Sequence, residues 1–81
     1  MMVRVLYFAS FRDAAGRPEE DRELPCGTRI CDLWEILSRE FPAFARFPKM
    51  PPAAVNRLYT PGHVTLEDGD EVAYLPPVAG G

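Results

Sequence analysis

Lysine is almost missing from this chain of 81 residues, where Lys49 stands alone against eight arginines. Twelve acidic side chains bring the net charge to −3, a balance that opposes any extended polyanion, so nucleic acid is not expected as a partner. Cysteine is scarce too. Cys26 and Cys31 have no second Cys or His pair near them, which excludes the usual zinc spacings, and both thiols are expected to stay reduced and idle. The single histidine, His63, follows Gly62 in a turn with no nucleophile paired to it, so no catalytic triad can be argued. Long apolar runs are absent: nothing approaches the roughly 20 residues of a membrane span. The opening MMVRVLYFAS carries an early charge and alternates like a strand, unlike a secretory leader. A cytoplasmic location with no membrane partner is the expectation.

What is present describes one small globular domain. Hydrophobic residues at 47% and charged residues at 26% suit a packed core, while a domain of this size buries only about 60% of its unfolded surface and has little room for an enclosed active site. Val3 to Ala9 reads as a first strand, apolar on both faces and therefore central, with Val3, Val5, Tyr7 and Ala9 on one side and Arg4, Leu6 and Phe8 on the other. Ser10 is placed to cap a short helix that Gly16 closes in the left-handed conformation. The charged segment Glu19–Leu24 predicts an edge strand. Ile30, Leu33, Trp34, Leu37 and Phe41 have the spacing of one helical face, and Pro42 ends that helix. Ala43 to Pro52 reads as an irregular connection with room for one helical turn. Ala53–Asn56 predicts a short buried strand continuing through Tyr59, and Val64–Leu66 a minor one. The order predicts a mixed sheet covered on one face by one main helix.

The acids gather at Glu19–Glu23 and Glu67–Glu71, as solvated turns and exposed edges commonly do. After the second group, Val72–Leu75 reads as a buried strand, and then the character of the chain changes. Pro76 and Pro77 give no N–H to a sheet and favour an extended path, Val78 and Ala79 are small, and Gly80 and Gly81 lack side chains. Extended, these six residues would carry the terminal carboxylate about 20 Å from the body. The expected organisation is a domain over residues 1–75 and a flexible tail over residues 76–81, narrow enough to enter a partner's channel.

Four stretches carry a resemblance that spans nearly the whole chain in order: LYFASFRDAAG from Leu6, GTRICDLWEIL from Gly27, AAVN from Ala53, and DGDEVAYLPPVAGG from Asp68. Together they resemble the family of molybdopterin synthase small subunits. The resemblance implies a β-grasp, ubiquitin-like fold of α+β class and a sulfur carrier for molybdenum-cofactor biosynthesis. Gly81 is then the terminus that is adenylated and thiocarboxylated, with Gly80 giving clearance beside it. Arg12, Tyr59, Leu75, Pro76, Pro77, Val78 and Ala79 are the implied partner contacts, although Tyr59 and Leu75 depart from the leucine and phenylalanine expected there, and a core role for Leu75 stays open. Two partners are implied, the synthase large subunit and an ATP-dependent, E1-like adenylating enzyme. No cofactor is expected on this chain, ATP and magnesium being used by the activating enzyme. Other sulfur-carrier pathways (thiamin, cysteine or tRNA thiolation), a ubiquitin-like modifier joined through Gly81 to a lysine, and a plain binding module remain alternatives.

Overall fold

Alternation along Met2–Leu6 sends Val3 and Val5 into the core and leaves Met2 and Arg4 exposed, giving the strand β1. The computed structural model describes residues 1–47 and 49–75. The expected tail, residues 76–81, therefore lies outside the described residues. Helix α1 (Ala9–Ala15) follows, then strand β2 (Glu19–Glu23), helix α2 (Ile30–Glu40), a single 3-10 turn (Phe44–Arg46), and strands β3 (Ala53–Val55), β4 (Leu58–Tyr59) and β5 (Glu71–Tyr74). The strands form one sheet in the order β2-β1-β5-β3-β4. Only the β1–β5 pair is parallel, so the sheet is mixed, and α2 packs on one of its faces in the β-grasp arrangement.

Local chemistry places most boundaries. Helix α2 opens where the Asp32 carboxylate accepts the Arg29 backbone N–H at 2.9 Å and two guanidinium N–H bonds from the same residue. It closes at Phe41, just before Pro42. Gly16 closes α1 at φ 77, donating its N–H to the Arg12 carbonyl. Ser10, however, is not the cap of α1. Phe8 occupies that position in an extended conformation with no side-chain bond, and Ala9 enters the helix at φ 47. Strand β1 accordingly stops at Leu6 instead of Ala9, although the Tyr7 N–H still reaches the Pro18 carbonyl at 2.8 Å. The minor strand expected at Val64–Leu66 is reduced to one bridge, Thr65 opposite Arg29.

The core is held by an aromatic cluster centred on Phe44, which is wholly buried. Its ring lies 4.7 Å from Phe11 and is stacked 5.4 Å from Trp34, and Trp34 in turn lies 5.0 Å from Tyr74. Each such pair adds about 0.5 to 1.5 kcal/mol beyond the area it buries. Polar groups close the side of the core. The Tyr7 hydroxyl donates to Glu20 at 2.5 Å, Glu20 accepts the Arg22 Nε–H at 3.0 Å, and Arg22 forks onto Glu40, joining β1, β2 and α2. Burial first, then the bond to Glu20, pushes the Tyr7 phenol well above its ordinary pKa, so it remains a donor.

Strands β3 and β4 are joined by two residues, Asn56 at φ 51 and Arg57 at φ 71, the mirror-image turn that matches strand twist. Asparagine tolerates this region; arginine does so at a cost of about 1 kcal/mol. Arg57→Gly is expected to raise the unfolding free energy by about 0.5 to 1 kcal/mol, read as a higher urea midpoint at unchanged slope. A lower midpoint would show that Arg57 makes a stabilising contact that outweighs the strain.

Candidate functional site

One helix cannot cover both faces of a five-stranded sheet, and the face turned away from α2 is left open. Register places a row of side chains across it: Leu6 opposite Ala73, Ala73 opposite Ala54, and Ala54 opposite Tyr59. The row is apolar and mostly small. Because β1 and β5 run parallel, both strands finish at the same edge of the sheet, where Phe8 and Leu75 follow them. Leu6, Phe8, Ala54, Ala73 and Leu75 line a shallow hollow of about 390 Å³ that runs along β5 on this face, with Arg57 and Glu71 lining its other end, where β5 begins.

The end of β5 determines what each neighbour does. Tyr74 points inward, 1% exposed, and its hydroxyl donates to the Ile30 carbonyl at 2.7 Å. Alternation then turns Leu75 outward onto the hollow, half-buried, while its backbone N–H is still tied to the Pro52 carbonyl at 2.9 Å. Leu75 is thus a residue of the open face and not of the core. The anchored sheet runs to the last residue before Pro76.

Of the residues singled out in the sequence, Tyr59 projects from edge strand β4 at 78% exposure and shares the open face with Leu75. Arg12 lies exposed on α1, one turn beyond Phe8, with its N–H directed at the Phe8 carbonyl at 3.3 Å. Pro76, Pro77, Val78, Ala79, Gly80 and Gly81 fall outside the described residues. Phe8 is a surface residue the sequence reading did not select, 45% exposed beside Leu75. A signal for it existed: Leu6 and Phe8 alternate with Val5 and Tyr7, and a lone helix can bury only one of the two sets.

Charges around the face are mostly paired. Arg4 lies 3.0 Å from Asp21 and 3.8 Å from Glu19, and the Asp21 hydrogen bond leads the interactions that raise its pKa. The acids at the far end of the sheet hold backbone. Asp68 accepts the Met2 N–H at 2.7 Å, and Asp70 accepts the Glu67 N–H at 2.8 Å and the Asn56 amide at 3.0 Å. Among the described residues no three His, Cys, Asp or Glu side chains converge as metal ligands. Cys26 is exposed, Cys31 half-buried, and both are free. Among the described residues the geometry offers an open apolar face with Leu75 held at its end.

Comparison with known proteins bears on this site. The model of the ThiS family matches residues 5–81. A molybdopterin synthase sulfur carrier subunit from Mycobacterium tuberculosis is 39% identical over 80 residues, covering 98% of this chain and 96% of that one. Among solved structures, a Pyrococcus furiosus chain described as a candidate molybdopterin converting factor, subunit 1, superposes with a TM-score of 0.85 at 37% identity, covering 96% of this chain and 99% of that one. A complex of subunits 1 and 2 of molybdopterin-converting factor from Helicobacter pylori contains a chain of the same fold, with a TM-score of 0.67 at 23% identity and complete coverage of both chains. No helix among the described residues is long and apolar enough to cross a membrane.

Inward and outward placement at the end of β5 gives a direct expectation. Tyr74→Ala should cost about 3 to 5 kcal/mol in urea unfolding, as large aromatic truncations in a core do. Leu75→Glu should cost clearly less than that, because Leu75 lies at the open face, outside the buried core, and a longer side chain there can reach water. Equal losses for the two variants would return Leu75 to the core.

Proposed function

The chain belongs to the ThiS family, and from that membership we propose that it is the sulfur carrier subunit of a molybdopterin synthase. What supports the reading is the way the fold stops. The sheet anchors the chain through Leu75, at the edge of an uncovered apolar face, and the sequence from there is PPVAGG. A protein that seats on this face and has a channel at the tail exit engages both at once. The larger subunit of the synthase is that partner, in keeping with the paired subunits of the Helicobacter pylori complex. In this reading Phe8, Tyr59 and Leu75 supply apolar contact to the partner, and Arg12, one turn along α1 from Phe8, together with Pro76 to Ala79, supplies further contacts.

The chemistry belongs to the terminus. A carboxylate is a poor electrophile, so an E1-like enzyme using ATP and magnesium joins the Gly81 carboxylate to AMP and releases pyrophosphate. A sulfur nucleophile then attacks the carbonyl carbon, AMP leaves, and a thiocarboxylate remains. Like other thiolates, that group is ionised near neutral pH and strongly nucleophilic. Within the synthase its sulfur displaces an oxygen substituent of the cyclic pyranopterin precursor, a C–S bond forming as a C–O bond breaks and the oxygen leaves. Water then hydrolyses the resulting thioester, leaving sulfur on the product and restoring the Gly81 carboxylate. Two such transfers complete the dithiolene. Gly80 and Gly81, without Cβ atoms, let the adenylating and synthase sites close tightly around the reacting carbon. This chain itself binds no cofactor in the scheme.

Deleting Gly81 tests the reading. The truncated protein should keep the parental urea midpoint, take up no sulfur when incubated with ATP, activating enzyme and sulfur donor, and yield no dithiolene with the large subunit and precursor. Mass spectrometry of the full chain after the same incubation should show one oxygen replaced by sulfur. Dithiolene formation by the truncated protein would overturn the proposal. A lysine-linked conjugate in place of free thiocarboxylate would make the chain a modifier, and sulfur delivery to thiazole or tRNA alone would place the carrier in another pathway.

A further inference from the structure

Both residues of the turn between β3 and β4 are left-handed, yet only one is held there by the rest of the protein. The Asn56 side chain donates to Asp70 at 3.0 Å and accepts the Glu71 N–H at 3.0 Å, so the contacts it makes offset its strain. Arg57, at φ 71, has nothing comparable. Among the described residues its guanidinium is in no hydrogen bond and no ion pair, which is equally true of Arg12, Arg39 and Arg46, but of these four Arg57 is the one that combines a positive φ with a place on the hollow. Glycine would sit in this position without strain. A strained residue with no internal partner, placed on the rim of an apolar hollow, points outward for its role.

We infer that Arg57 reads the docked protein: its guanidinium receives a carboxylate of the partner, while Leu6, Phe8, Ala73 and Leu75 beside it take that partner's apolar side chains. The inference rests on the docking role proposed above and adds a charge requirement to it. A guanidinium presents a fork of donors that fits a carboxylate with two parallel hydrogen bonds, and arginine is enriched where interfaces concentrate their binding energy. A phosphate would also suit the fork, but the hollow does not suit a phosphate. Among the described residues its walls are otherwise apolar, and Arg57 is the one cation and Glu71 the one anion that line it, so Glu71 repels a dianion more strongly than a single carboxylate, which one guanidinium can balance. The acidic balance of this chain therefore does not dictate a wholly basic partner surface. At this corner the charges are reversed.

Three variants test the inference, with binding to the molybdopterin synthase large subunit of the same organism measured by calorimetry at low and high salt. Arg57→Gly should resist urea better than the parent and yet bind about ten-fold more weakly. Stability and affinity moving in opposite directions is a result that a purely structural role for Arg57 cannot give. Arg57→Gln should weaken binding to a similar degree and flatten the salt dependence, since exposed charge pairs are screened by salt. Arg57→Glu should bind more weakly than either. Leu75→Glu serves as the control for the face itself. If Leu75→Glu loses binding while the Arg57 variants keep parental affinity and salt dependence, the inference about Arg57 is overturned and the docking role stands. If the parent does not bind the large subunit, both fall.

Discussion

The parallel pairing of β5 with β1 at the centre of the sheet is the constraint on which everything else depends. It sets Val72 beside Val5 and Ala73 beside Leu6, so one set of side chains faces α2 and the other lies on the opposite face, which no helix covers. It also brings the end of the last strand to the edge where the first strand ends. That single register makes Tyr74 a core residue and Leu75 a surface one. A slip by one residue would exchange them, burying the docking side chain and exposing the phenol. The placement of Leu75 and the hollow along the open face follow from the same pairing.

Strict pairing at the centre is possible because the core around it is specific. Phe44, on a 3-10 turn in an otherwise irregular connection, packs on both Phe11 and Trp34, which also touch each other, and its edge contact with Tyr7 ties α1 and α2 to the end of β1 through rings. From the hydroxyl of Tyr7 outward, charge takes over. Tyr7, Glu20, Arg22 and Glu40 form a connected chain, and the Arg22 fork holds the Glu40 carboxyl below its usual range. The acidic turn before β5 owes its composition to backbone N–H groups that need acceptors, which accounts for Asp68 and Asp70 without recourse to a ligand.

The division of labour between fold and tail has a physical basis. A domain this small has little interior to spare for a site that binds, activates and reacts, and its core is filled by aromatic rings. The function proposed above accordingly places the chemistry at Gly81 and asks of the domain only a surface. Phe8 and Tyr59 are exposed apolar groups at a cost in solvation, Leu75 is half-buried beside Phe8, and Arg57 is held at a cost in backbone strain.

Much of this was determined by the sequence itself. The apolar stripe of α2, the stop at Pro42, the left-handed Gly16, the charged edge of β2 and the strand before the double proline are local patterns, and local patterns survive into the fold. The terminal Gly-Gly and the resemblance that pointed to sulfur chemistry are equally independent of packing. Tertiary structure decided the rest, because those features depend on which strands become neighbours. AFARFPKMPP has no periodicity, so nothing in it marks Phe44 as the centre of the core until α1, α2 and Tyr7 converge on its ring. Leu75 was ambiguous for a related reason: an alternating strand has two apolar faces in the sequence, and only the placement of one helix says which of them is buried. Arg57 looks like an ordinary polar turn residue until a two-residue hairpin forces it to φ 71 and leaves it on the rim of the open face.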